Sequence, residues 1–258
     1  MTAAKDRVRV AAVADLHCTT TSVAALQPLF AQVTASADVF LVAGDLTDYG
    51  LPEEAHALAK ELTATVKIPV VAVLGNHDYE SGKQDEVRRI FLDAGVRVLD
   101  GETCEVQGIG IAGIKGFVGG FGRRMLSPWG EEAIKRLVHE AIQEALKLES
   151  ALARLRTSQR IALLHYAPIQ GTVEGEPAEI FPFLGCSRLE EPLNRYPVHA
   201  VFHGHAHHGR PEGRTAANVP VYNVGLALLG RAFPDRPPFR VEEFVLGEPG
   251  ADTPGGSS

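Results

Sequence analysis

The chain is 258 residues long, 45% hydrophobic and 22% charged, with a formal net charge of -7 at neutral pH. That is enough apolar chain to bury a core, and an acidic balance without a basic stripe argues against a surface built for nucleic acid or an anionic membrane. Cys18, Cys104 and Cys186 are odd in number and far apart, so they form neither a disulfide framework nor a CxxC site, which fits a reducing compartment.

The first apolar run, Val8 to Ala14, is interrupted by Arg9 and too short for a signal peptide, and no stretch approaches the ~20 apolar residues that cross a bilayer. The expectation is a cytoplasmic protein with no membrane partner. In chain order, "VRVAAVA", "VFLVAG" and "VVAVLG" read as buried strands, separated by helical patterns over Ser22 to Ala35 and Pro52 to Thr65. This βαβαβ alternation predicts a parallel sheet covered on both faces. "GVRVLDGETCEVQGIGIAGIKG" alternates and is punctuated by glycine, which predicts short strands in a meander.

The segment 127–155 opens with Ser127 and Pro128 and repeats apolar residues from Ile134 through Leu155 at helical spacing, so it predicts one long amphipathic helix packed on the sheet. "IALLH" and "AVFHG" add two buried strands, and "VPVYNVG" and "FRVEEFVL" two more. With no linker or repeat, the prediction is a single domain over residues 1–247 and a disordered tail over 248–258.

Polar residues cluster where the apolar runs end. Asp15 and His17 follow the first run, Asp45 the second, and Asn76, His77 and Asp78 the third; His165 ends the fourth, and His205 and His207 follow the fifth. Carboxyl ends of parallel strands form a common crevice, so these groups can converge across almost 200 positions. Oxygen and imidazole donors without thiolate suit Mn, Fe or Zn, and two aspartates, an asparagine and four histidines are too many for one ion. Two cations need a bridging anion, for which Asp45 is the candidate. In "DLH" and "HAH", residues two apart can point the same way. The flanking His199, His203 and His208 read as neighbours of the pair rather than ligands.

The ordered blocks "DLH", "GDLTD", "GNHD", "LLH" and "GHAH" resemble the motif set of calcineurin-like metallophosphoesterases, over about residues 8 to 225. The resemblance implies an α/β fold, a two-sheet β-sandwich flanked by helices, with a dinuclear site of two divalent transition-metal ions (Mn, Fe or Zn). Carried over by motif, one metal takes Asp15, His17, Asp45 and His207, and the other Asp45, Asn76, His165 and His205. His77 matches the group that protonates or steadies the leaving group, and a water shared by the metals would be deprotonated for in-line attack at phosphorus. Asp48 is open between orienting His77 and a plain loop carboxylate.

Within that family "GDLTDYG" places Tyr49 where Ser/Thr protein phosphatases carry a phosphate-binding arginine, and "GNHD" ends in Asp78 rather than glutamate. The resemblance to small bacterial cyclic-nucleotide phosphodiesterases favours a phosphodiesterase acting on a small phosphoester, with a phosphomonoesterase, a nuclease or a non-catalytic scaffold as alternatives. The glycine-rich "GIKGFVGGFGRRM" is open between a flap bringing Lys115, Arg123 and Arg124 to a phosphate and an ordinary surface loop.

Overall fold

Valine, leucine and alanine dominate the first three strands because both of their faces are covered. In the computed structural model, which describes residues 6–246, β1 (Arg7–Val13), β2 (Val39–Ala43), β3 (Val70–Val73) and β4 (Arg97–Val98) run parallel in one sheet. A second sheet holds β5 (Thr103–Val106), β6 (Ile109–Gly113), β7 (Gln159–Leu163), β8 (Ala200–His203), β9 (Glu212–Arg214) and β10 (Pro220–Asn223), in the order β5-β6-β7-β8-β10-β9. The chain then returns to the first sheet, where β11 (Arg240–Val245) pairs antiparallel with β1.

The period-2 alternation of strand side chains divides the core into layers. Val10, Ala12, Leu41 and Val73 face the second sheet and meet Ile111, Ile161, Leu163 and Phe202 between the sheets. Their neighbours Ala11, Val13, Phe40 and Val42 face outward onto helices α1 (Gln27–Ser36), α2 (Pro52–Thr65) and α3 (Gln84–Asp93), with Phe30, Leu58 and Phe91 filling the gap. On the other side, α4 (Glu132–Arg154) lays Leu148, Ala151 and Leu152 over Ala112, Ala162 and Val201. The result is helices, sheet, sheet, helices.

Several details differ from the sequence expectation. The first helix is interrupted, with a 3-10 turn at Val23–Leu26 before α1, because Pro28 lacks an amide hydrogen and fits the first helical turn. The expected meander is split between the sheets: β4 extends the first by pairing with β3, and β5 and β6 form a hairpin that opens the second. The helix α3 follows the third strand without having been predicted. The expected tail, 248–258, lies outside the described residues. Among the described residues no helix is long and apolar enough to cross a membrane.

One charge sits inside α4. Glu144 is 1% exposed; its Oε2 accepts the Gly116 amide hydrogen at 2.8 Å and its Oε1 accepts from Lys147 at 2.6 Å, while Lys147 also reaches Asp100 at 3.1 Å. The contact ties the long helix to the start of the glycine-rich loop. Glu144→Ala leaves a buried amide without an acceptor and is expected to lower stability by about 1–3 kcal/mol in urea unfolding. Glu144→Gln keeps an acceptor oxygen and is expected to lose less.

Candidate metal centre

Six strand ends, those of β1, β2, β3, β7, β8 and β10, meet at one edge of the sandwich. The β1 and β10 ends are joined there by the Ala14 amide donating to Val224 O at 2.9 Å. Three sets of potential ligand atoms lie close together: Asp15, His17, Asp45 and His207; Asp45, His165 and His205; and His17, Asp48 and His77. The first two share Asp45. Asn76 adds an oxygen to the second set, with Oδ1 2.9 Å from His165 Nε2.

The backbone is strained at the same residues. Asp15, His17, Asp45 and His205 all have positive φ, between 42° and 70°, a region that L-residues enter at a cost of about 1–2 kcal/mol each. The turns they make bring side chains from adjacent strands within ligand distance. The glycines of "GNHD" and "GHAH" answer the same crowding. A Cβ on Gly75 would lie 2.1 Å from Asp45 Oδ1, and one on Gly204 would lie 2.4 Å from the Ala14 side chain and 2.9 Å from Asp15 Oδ1.

Hydrogen bonding assigns the ring protons. A carbonyl only accepts, so His165 donates Nδ1–H to Ala43 O at 2.9 Å, His205 donates Nε2–H to Phe183 O at 3.1 Å, and His77 donates Nδ1–H to Asp48 O at 2.7 Å. Burial, followed by the charge of His205, holds His165 well below its ordinary pKa, and burial lowers His205 and His17 as well. Neutral imidazoles result. The His165 Nε2 lone pair therefore faces Asn76 Oδ1 at 2.9 Å and Asp45 Oδ1 at 3.4 Å, three acceptor atoms around one point.

The carboxylates show the same want of a cation. Burial and the neighbouring Asp15 and Asp78 raise Asp45 well above the usual carboxylate range, and its buried Oδ2 has no hydrogen-bond partner. Burial acts upward on Asp15 too, but the His207 hydrogen bond, the charges of His165 and His207 and the His205 amide outweigh it, holding Asp15 at about 2. The Asp15 carboxylate in turn raises His207. An unpaired buried oxygen, converging lone pairs and a donor set without thiolate fit hard or borderline dications.

Asp48 stands differently from the role of orienting His77. Its Oδ1 is 3.2 Å from His17 Nδ1 and 3.8 Å from His77 Nδ1, and its backbone carbonyl is what His77 bonds. Lys115 is enclosed by the rings of Tyr79, Phe117 and Tyr166 at 5.4, 4.7 and 5.1 Å and donates to Gly116 O at 2.9 Å. Arg123 and Arg124 lie on an exposed turn. His203 is buried, with Nδ1 donating to Gly204 O and Nε2 facing the Thr172 hydroxyl, both at 2.8 Å.

Asp78 has a structural task that its place in "GNHD" does not reveal. It is fully buried and accepts from Gly75 N, Thr47 N, Thr47 Oγ1 and Leu46 N at 2.8, 2.8, 2.6 and 3.2 Å. It thereby locks the loop carrying Asp45 to the loop carrying Asn76. An acidic residue in one motif and a hydroxyl in the other, at the ends of neighbouring strands, are the only trace of this in the sequence.

A family model described as calcineurin-like phosphoesterase matches residues 8–209. The chain belongs to the calcineurin-like phosphoesterase family. Members use a dinuclear divalent-metal site, and the two clusters sharing Asp45 are candidate ligand sets for one in this member. Its fold is similar to phosphopantetheinyl hydrolase from Mycobacterium tuberculosis, with TM-score 0.65 at 15% identity over 97% of this chain and 99% of that one. It is also similar to a protein of Thermus thermophilus (TM-score 0.55, 14% identity, 92% and 98% covered). A putative 5′-nucleotidase from Staphylococcus aureus has TM-score 0.52 at 13% identity over 85% of this chain and 48% of that chain. These likenesses show the fold. No curated protein sequence matches.

The unpaired Asp45 oxygen makes a stability prediction. Without divalent metal, Asp45→Asn removes a buried charge while keeping an acceptor for the His77 amide, 2.9 Å from Oδ1. Its melting temperature at pH 7 is expected at or above that of metal-free wild type. Added Mn²⁺ should raise the wild-type value and leave the variant almost unmoved.

Proposed function

We propose that this protein is a phosphodiesterase that hydrolyses a small phosphoester with two divalent transition-metal ions. The single observation that carries the reading is the shared Asp45, with a buried unpaired oxygen between two clusters of neutral imidazole and carboxylate. One metal is assigned to Asp15, His17, Asp45 and His207, and the other to Asp45, Asn76, His165 and His205. When bound, the ion pair supplies Lewis acidity that makes water a nucleophile near neutral pH and offsets charge on the phosphoryl oxygens.

The protein's own groups then do the remaining work. The water oxygen forms the new P–O bond, the bond to the ester oxygen breaks, and that oxygen leaves with a proton. His77 is assigned to deliver it from Nε2, because Nδ1 is held by Asp48 O and the side chain is 37% exposed at the mouth of the site. Asp48, nearer to His17, is assigned to steady that ring. The His205 amide on both oxygens of Asp15, at 3.0 and 3.1 Å, fixes the carboxylate angle.

Diester rather than monoester is supported by what flanks the mouth. A monoester dianion calls for a cation on its terminal oxygens, whereas Tyr49 puts an exposed neutral ring after Asp48, and Lys115 is occupied by its aromatic surroundings and Gly116 O. The fold likeness to a phosphopantetheinyl hydrolase and a putative 5′-nucleotidase suits a phosphoester substrate of either kind.

A rate panel tests the reading. With Mn²⁺, bis(4-nitrophenyl) phosphate is expected to be cleaved faster than 4-nitrophenyl phosphate; the reverse order, or no turnover on either, contradicts it. His77→Ala should lower kcat by about 10²–10⁴-fold with metal content intact. His205→Ala should lose metal as well as activity.

A further inference from the structure

Scattered exposed apolar side chains are ordinary on a protein surface; their concentration in one place is not. Among the described residues the exposed large aromatics are Tyr49, Trp129 and Phe183, at 57, 73 and 59%. Tyr49 and Phe183 lie in segments hydrogen-bonded to residues of the metal-ligand clusters. Tyr49 follows Asp48, whose carbonyl holds the His77 ring, and it is followed by exposed Leu51. Phe183 belongs to the short helix α5 (Phe181–Leu184), and its carbonyl accepts the His205 ring proton. Exposed Ile180 precedes that helix.

The α5 segment is fixed in place rather than loosely attached. Leu184 O accepts from Ala167 N at 3.0 Å, and Cys186 N donates back to Ala167 O at 3.1 Å, two residues after His165. The glycine-rich loop docks on the same segment. Gly119 N donates to Pro182 O at 2.7 Å, Gly120 N to Gly185 O at 2.8 Å, and the rings of Phe121 and Phe181 meet edge to face at 6.5 Å. Phe121 and Phe181 pack against a small buried cluster of Ala167, Val173, Leu184 and Ala206 beneath. The Ile180 and Phe183 side chains remain in solvent, on the segment whose Phe183 carbonyl bonds the His205 ring.

We propose that the Ile180–Phe183 rim is the subsite for an apolar organic group, alkyl or aryl, esterified to the phosphate that the site cleaves. This rests on the phosphodiesterase reading and names its substrate class. An apolar rim beside the exposed Glu179, on an acidic protein, gains nothing from a polyanion, whereas each methylene of an ester chain laid against Ile180 and Phe183 is removed from water. Holding the rim by its backbone to Ala167 and to the His205 ring keeps the contact in register with the phosphorus.

The test has a turnover arm and a binding arm, both on the Mn²⁺-loaded protein. Hexyl 4-nitrophenyl phosphate is expected to exceed methyl 4-nitrophenyl phosphate in kcat/KM by about tenfold or more, chiefly through KM. Phe183→Ala retains the backbone carbonyl and should shrink that ratio to about threefold or less, with Phe183→Leu keeping most of it. Calorimetric binding of hexylphosphonate against methylphosphonate should show the same gap independently of catalysis. Equal values for the two chain lengths in both arms overturn the subsite and leave the phosphodiesterase reading standing. A Phe183-dependent preference for thymidine 5′-(4-nitrophenyl phosphate) over the hexyl ester also overturns it, in favour of a stacked base. Phosphonate discrimination without hydrolysis of any diester supports the rim and contradicts the catalytic reading.

Discussion

The fold is organised around a carboxylate that it cannot satisfy by itself. Asp45 is fully buried, stands among Asp15, Asp78 and Asp48, and keeps one oxygen without a hydrogen-bond donor. A globular domain holds only about 5–15 kcal/mol of net stability, so leaving such a group uncompensated is tolerated where a positive charge is expected to complete it. The left-handed turns at Asp15, His17, Asp45 and His205 add to the same cost. The sandwich around the site is what holds these unfavourable local states in place. Valine-rich strands packed on both faces leave their carboxyl ends little freedom, and Asp78 locks two of the loops to each other.

Charge balance explains the division of labour among the histidines. Burial favours the neutral ring at His17, His165 and His205, whereas Asp15 favours the charged ring at His207; three rings have a proton committed to a backbone carbonyl: His165 to Ala43, His205 to Phe183 and His77 to Asp48. The tautomers are therefore set by the main chain, which mutation of neighbouring side chains disturbs little. His77 differs in its neighbours: it groups with His17 and Asp48 rather than with either cluster that shares Asp45. His203 is the buried counter-example: fully enclosed and hydrogen-bonded to the Thr172 hydroxyl, it serves the packing of the strand end.

Much of this is legible from residue order because parallel strands place their carboxyl ends together whatever lies between them. Asp15, Asp45, Asn76, His165, His205 and His207 each follow an apolar run, and that placement alone brings them to one edge. What stays hidden depends on backbone atoms. Asp78 works through four hydrogen bonds to donors in the two loops it joins, and Glu144 through a loop amide 28 residues away; a helical wheel reads Glu144 as one more polar position. The proximity of Asp48 to His17 rather than His77 is a matter of tenths of an ångström that no spacing encodes. The helix α3 and the division of β4 from β5 are likewise set by tertiary packing.

The central claim is that one aspartate lies between two cations. Anomalous diffraction at the manganese edge, on crystals of the protein grown with Mn²⁺, tests it most directly. The account predicts two peaks about 3.5–4 Å apart, with Asp45 bound to both, His17 and His207 on one, and Asn76, His165 and His205 on the other. A single peak, or two peaks that Asp45 does not bridge, would contradict it.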